Sequence, residues 1–135
     1  MDDLLRVMKA LSDPGRLRIL KLLEARELCA CEIISLLGLA QPTISRHMKV
    51  LSDAGLVAGR KVGPWVHYRL AEGEASPYAR EMLALVAGWL GDDAEVAGLR
   101  ARLAAVAPAS CAGGGRAGCD GGTSAEGANQ REARP

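Results

Sequence analysis

Two groups of residues in this 135-residue sequence have the types and spacing to do chemistry. The first is its four cysteines. Cys29 and Cys31 stand one residue apart, and Cys111 and Cys119 lie in a Gly-rich C-terminal stretch. Met1-Asp2-Asp3 is acidic where a signal peptide is basic, and the apolar residues after it are spaced rather than continuous, which predicts a cytoplasmic chain. Four cysteines in that compartment point to soft-metal or redox chemistry rather than to a disulfide framework. The plainer alternative for Cys29 and Cys31 is a pair of small buried residues in a helix-packing role.

The second group runs through Gln41, Pro42, Thr43, Ser45, Arg46, His47 and Lys49. Short polar donors and cations crowded at the start of a helix suit base edges and phosphates. Gln bonds adenine bidentately and Arg bonds guanine the same way, while a helix N-terminus favours a phosphate. Arg60, Lys61 and Arg69 follow. Between Pro42 and Arg69 there are five basic residues against one acid, Asp53, a local charge of +4 in a chain whose net charge is only +1. Such segregation predicts a face for a polyanion; its alternative is a solvated basic surface. His47 and His67 fall in the same stretch and are expected as phosphate or packing contacts, not metal ligands. No catalytic constellation is visible, which predicts a non-enzyme without an organic cofactor.

These residues need elements to position them. Apolar residues make up 49% of the chain and charged residues 24%, a globular balance, and Phe is absent, so the core must be aliphatic. No apolar run reaches the eighteen or so residues of a membrane span. Composition changes at Pro108: residues 108–135 contain no Leu, Ile, Val, Met or aromatic residue and seven Gly. Such a stretch buries too little to offset its ordering entropy. The expected organisation is a folded domain over residues 1–107 and a flexible tail over 108–135.

Within the domain, Leu4, Leu5, Met8 and Leu11 predict one face of a short first helix. Asp13-Pro14 reads as an N-cap followed by proline at the first helical position. Leu17, Ile19, Leu20, Leu22 and Leu23 give the second helix, ending near Glu24. A third covers residues 30–37 and stops at Gly38; a fourth opens at Pro42, carries Ile44, Met48 and Leu51, and ends at Gly55. Two short helices across so tight a turn read as helix-turn-helix. Residues 56–61 and 66–70 are strand-like around Val62-Gly63-Pro64-Trp65, a small hairpin or wing. A helix over residues 77–90 carries Met82, Leu85, Val86 and Trp89, and another covers 95–106. The fold class is mainly α with a small β-hairpin, a winged helix-turn-helix.

Gln41-Pro42-Thr43-Ile44-Ser45-Arg46-His47-Met48-Lys49-Val50-Leu51, with Ala54-Gly55-Leu56-Val57, resembles the ArsR/SmtB family of metal-responsive repressors. Leu11-Ser12-Asp13-Pro14-Gly15-Arg16-Leu17 and Gly63-Pro64-Trp65-Val66-His67-Tyr68-Arg69-Leu70 are similar to the same family. The resemblance covers residues 1–106. It implies a homodimeric repressor of operator DNA, released by an inducer, with the first and last helices at the dimer interface and Met82, Leu85 and Trp89 within it. Glu27-Leu28-Cys29-Ala30-Cys31-Glu32-Ile33 is similar to the cysteine box of the arsenite and cadmium/lead members, which implies As(III) or Sb(III) as inducer. The arsenite pattern places a third Cys where this chain has Ile34, so a third sulfur is expected from Cys111 or Cys119, with Cys111 the nearer. Cd(II) or Pb(II) on a sulfur-rich site and a redox or persulfide switch are the alternatives. Zinc-responsive members use Asp and His on the last helix, and residues 78–90 hold no His. A thiol-transfer enzyme or metal carrier would need neither wing nor basic helix. Residues two apart on a helix point about 200° apart. Gripping one ion with Cys29 and Cys31 is therefore expected to disturb the start of the third helix and, through packing, the fourth.

Overall fold

The computed structural model describes residues 1–105. Its elements are α1 (Asp2–Ala10), α2 (Pro14–Leu23), β1 (Leu28–Cys29), α3 (Ala30–Leu37), α4 (Gln41–Asp53), β2 (Val57–Val62), β3 (Trp65–Leu70), α5 (Pro77–Ala87) and α6 (Ala94–Ala104). The described chain is mostly helical, with one three-stranded antiparallel sheet in the order β1-β3-β2. No helix among the described residues is long and apolar enough to cross a membrane.

Local chemistry accounts for most boundaries. Asp13 caps α2 by accepting the Arg16 N–H at 3.1 Å, and Pro14 follows in the first turn. Ser76 accepts from Ala79 N–H at 3.2 Å to open α5, and Asp93 accepts from Val96 N–H at 3.1 Å to open α6. Gly38 ends α3 at φ 68°, a left-handed conformation that costs glycine nothing. The chain therefore turns from α3 into α4 in three residues, as the helix-turn-helix reading requires.

A continuous aliphatic core joins the helices to the sheet. Ile19, Leu20 and Leu22 of α2, Ile33 of α3, and Ile44 and Leu51 of α4 are essentially solvent-free within it. Leu28, Tyr68 and Leu70 bring one face of the sheet against this core.

Two expectations are corrected, at the fifth helix and at Cys29, and two burial patterns add to the reading. On α1 the buried residues are Val7 and Ala10; of the predicted face, Leu5 and Met8 are exposed and Leu11 packs partly buried on the core. The fifth helix ends at Ala87, capped by Gly88, so Trp89 lies beyond it and is half exposed. Cys29 is not helical. It ends a two-residue strand that composition could not announce, because β3 supplies its partner. Lys21, inside an apolar helix face, is fully buried: Nζ donates to the Val86 carbonyl at 2.8 Å and pairs with Glu24 at 2.9 Å. This cation satisfies the carbonyl end of α5 and explains how a lysine enters the core.

Candidate functional site

On α4 the predicted contact residues form an outward polar surface. Gln41, Pro42, Ser45, Arg46 and Lys49 are exposed and Thr43 is partly so, while Ile44, Met48 and Leu51 face the core. Helical spacing separates the two sets. Lys49 pairs with Asp53 one turn on, at 3.1 Å. Arg46 has no ion-pair partner among the described residues, and neither does Lys61 on the wing.

His47 stands apart from this group. Its ring is largely covered, with Nδ1 3.3 Å from Arg16 Nη1 and Nε2 3.7 Å from Asp13 Oδ2. The Arg16 contact assigns Nδ1 as acceptor and Nε2 as the protonated nitrogen. Arg16 also donates to the Ala10 and Lys9 carbonyls, at 2.9 and 3.1 Å, so one guanidinium ties the end of α1 to the fourth helix. A Cβ on Gly15 would come within 3.0 Å of the His47 ring, which explains glycine there. Burial holds the His47 pKa below the ordinary imidazole value; the Arg16 and Arg46 charges push the same way, and Asp13 opposes them. Burial also resists ionisation of Asp13, but the Arg16 N–H and charge, with His47, outweigh it and keep its pKa low.

The wing carries the remaining cations. Arg60 is held by Glu27 through two hydrogen bonds, 2.7 and 3.0 Å long, and Arg69 pairs with Glu74 at 3.2 Å. The Arg60 hydrogen bonds keep the Glu27 carboxyl below the usual carboxylate range. Of the three basic wing residues predicted to meet a polyanion, two are thus neutralised by neighbouring acids.

Cys29 and Cys31 are both buried, in a small cluster separate from the main core, with Trp65 packed on it. Cys29 is the N-cap of α3, with φ −72° and ψ 149°, and Cys31 lies in the first turn. The two residues therefore meet across a strand–helix junction, and the 200° separation of a continuous helix does not apply. Glu32 closes the junction: its carboxylate accepts the Cys29 N–H at 2.9 Å and pairs with Arg26 at 3.2 Å. Burial raises the Cys29 thiol pKa, the Glu32 charge adds to that, and the Cys31 and Glu32 N–H groups partly oppose it. Among the described residues no three metal-type donors are gathered around one point. Cys111 and Cys119 lie outside the described residues. Glu32, Glu27, Trp65 and Arg16 were not singled out from sequence. Only Glu32 had a legible signal, an acid three residues after the cap.

A tight two-helix turn with an exposed polar second helix, followed by a β-hairpin, defines a winged helix-turn-helix protein. The family model for bacterial regulatory proteins of the arsR family matches residues 13–58. The arsenical resistance operon repressor of Escherichia coli is 47% identical over 68 residues, covering 50% of this chain; the chain spans only 58% of that relative's length. The arsenic resistance transcriptional regulator ArsR2 of Pseudomonas putida is 40% identical over 93 residues, 65% of this chain and 80% of the relative. A homodimeric winged helix-turn-helix DNA-binding domain from Mycobacterium bovis superposes with a TM-score of 0.54 at 34% identity, covering 63% of this chain and 75% of that one. This chain belongs to the arsR family, a family of regulatory proteins rather than enzymes.

Proposed function

We propose that the protein is a cytoplasmic, homodimeric repressor that binds operator DNA and is released when As(III) or Sb(III) binds Cys29 and Cys31. The observation that carries the reading is the position of this sulfur pair. It sits at the start of the first helix of the helix-turn-helix, on the sheet that forms the wing. The names of the E. coli and P. putida relatives support an arsenical inducer. A third sulfur comes from Cys111 or Cys119 in the tail over residues 108–135, beyond a DNA-binding and dimerisation domain over residues 1–107. With both cysteines in the reduced state, each As–S bond forms as a thiol hydrogen leaves with one arsenite hydroxyl as water, so the proton held by a buried thiol is consumed rather than stranded.

Gln41, Thr43, Ser45, Arg46 and Lys49 enter the major groove and Lys61 follows the phosphates, with Arg60 and Arg69 beside the DNA but held by Glu27 and Glu74. His47 orients the helix from behind. Dimerisation is supported by exposed apolar residues on adjoining parts of the surface: Leu5 and Met8 on α1, and Tyr78, Leu85, Trp89 and Leu90 on and just after α5, the helix that packs on α1.

Fluorescence anisotropy on DNA from upstream of the gene, titrated with arsenite and separately with Cd(II) at fixed salt, tests the reading. Release by arsenite is expected. Release by Cd(II) alone would replace the inducer, and induction surviving in both Cys29→Ser and Cys31→Ser would remove the site.

A further inference from the structure

The sheet collects residues from three segments on one side. Opposed residues in antiparallel strands share a face, and residues two apart on a strand repeat it. Cys29 of β1 lies opposite His67 of β3, and His67 lies opposite Arg60 of β2. Trp65 is two residues before His67 and diagonal to Cys29, within the reach of an aromatic side chain. The contacts agree: Trp65 is the partly buried apolar residue packed on the Cys29–Cys31 cluster. Arg60 bonds to Glu27, two residues before Cys29. On the same strand, His67 Nε2 is closed off from solvent with no hydrogen-bond partner among the described residues. The opposite face, with Tyr68 and Leu70, is committed to the core.

The sulfur pair is therefore built onto the wing. We propose that occupation of Cys29 and Cys31 is passed to DNA through the wing, with Trp65 as the positioning residue that couples the two. This rests on the reading of Cys29 and Cys31 as the inducer site. The expected route runs through the packing of α3 on α4 in the main core, but among the described residues no apolar side chain of α4 packs on the pair itself, whereas Trp65 does. Close-packed interiors answer an inserted ligand by switching between arrangements rather than by stretching. An ion bonded to two buried sulfurs displaces the indole lying on them. Trp65 begins β3 just after the hairpin turn, so its movement carries the wing tip, including Lys61 paired with Val66. Repression is lost because the wing leaves the phosphate backbone.

The test uses the full-length chain and its Trp65→Ala and Trp65→Phe variants, kept reduced by a phosphine so that Cys29 and Cys31 are thiols, with arsenite as probe. Arsenite binding is read from near-ultraviolet sulfur–arsenic absorption, and operator affinity from anisotropy with and without saturating arsenite. In Trp65→Ala, arsenite binding and inducer-free operator affinity should persist. The ratio of operator Kd values with and without arsenite should fall by about tenfold or more toward one, and Trp65→Phe should restore most of it. Linkage requires the reciprocal result, that arsenite binds free and DNA-bound Trp65→Ala equally well. Arsenite binding with an unchanged ratio in Trp65→Ala would overturn the wing route while leaving the inducer site standing. No sulfur–arsenic absorption in the wild type would overturn the inducer site and this route with it. If Trp65→Ala does not fold, tryptophan emission decides. Arsenite should shift the wild-type spectrum and leave Trp65→Phe unshifted, and an identical shift in both would overturn the proposal.

Discussion

The outer face of α4 and the Cys29 face of the sheet carry comparable numbers of polar and reactive groups, but they hold them differently. On α4 most of the polar side chains stand in solvent, Arg46 has no ion-pair partner among the described residues, and Lys49 pairs only with exposed Asp53 on its own helix. On the sheet the sulfurs are buried, and Arg60 and Glu32 are committed to Glu27 and Arg26. A surface of the first kind binds a polyanion with little rearrangement, because the one ion pair to be broken, Lys49–Asp53, is exposed. A site of the second kind takes a ligand only by displacing existing contacts, and that displacement is what a sensor converts into a signal. On the proposed function, recognition and sensing are thus separated by burial, although they lie about one helix apart.

The comparison breaks most readily at Glu32. Glu32→Ala leaves the Cys29 N–H and Arg26 without their buried carboxylate and is expected to cost about 1.5–3 kcal/mol in urea unfolding. A change under ~0.5 kcal/mol would mean the junction is not preorganised. Arg46→Ala should do the reverse, weakening operator binding by about 1–3 kcal/mol while leaving the unfolding midpoint in place. Unchanged affinity would remove Arg46 from base readout.

His47 sharpens the boundary between the two kinds of site. Its folded pKa lies below the unfolded value, so the unfolded chain takes up the proton more readily. The stability it contributes is complete above the ordinary imidazole value of about 6.5 and is lost as pH falls through the lower folded value. Melting temperatures should decline over that interval in the wild type, and His47→Gln should flatten the decline. Equal slopes in the two proteins would show that His47 is solvated like the rest of the α4 surface.

The smallest effect is expected at Glu27. Glu27→Gln releases Arg60 for a phosphate, so the dependence of log K on log salt should steepen by about one unit. An unchanged slope would leave Arg60 outside the DNA contact.

Much of this was legible from residue order. Gly38 and the Asp13-Pro14 pair mark helix ends because their preferences are local. The period change after Gly55 marks the hairpin for the same reason. The exposed α4 surface follows from helical spacing alone, and so sequence identified most of its residues. The apolar face with Leu5 and Met8 was legible, but such a stripe shows only that a partner exists, not whether it belongs to the same chain. Lys21 was missed because its acceptor, the Val86 carbonyl, lies sixty-five residues away.

The sequence by itself determined the helix-turn-helix, its wing, the polar face of α4 and the presence of a paired-cysteine box, since each depends on residues close together in the chain. Only the tertiary structure decided that Cys29 is extended rather than helical, that Trp65 covers the pair, and that Arg60 answers to Glu27. Those three facts arise from one event, the pairing of β1 with β3 across a gap of about forty residues. A two-residue strand has no period of its own. Its conformation is imposed by the strand beside it, and no local pattern encodes a neighbour so far along the chain.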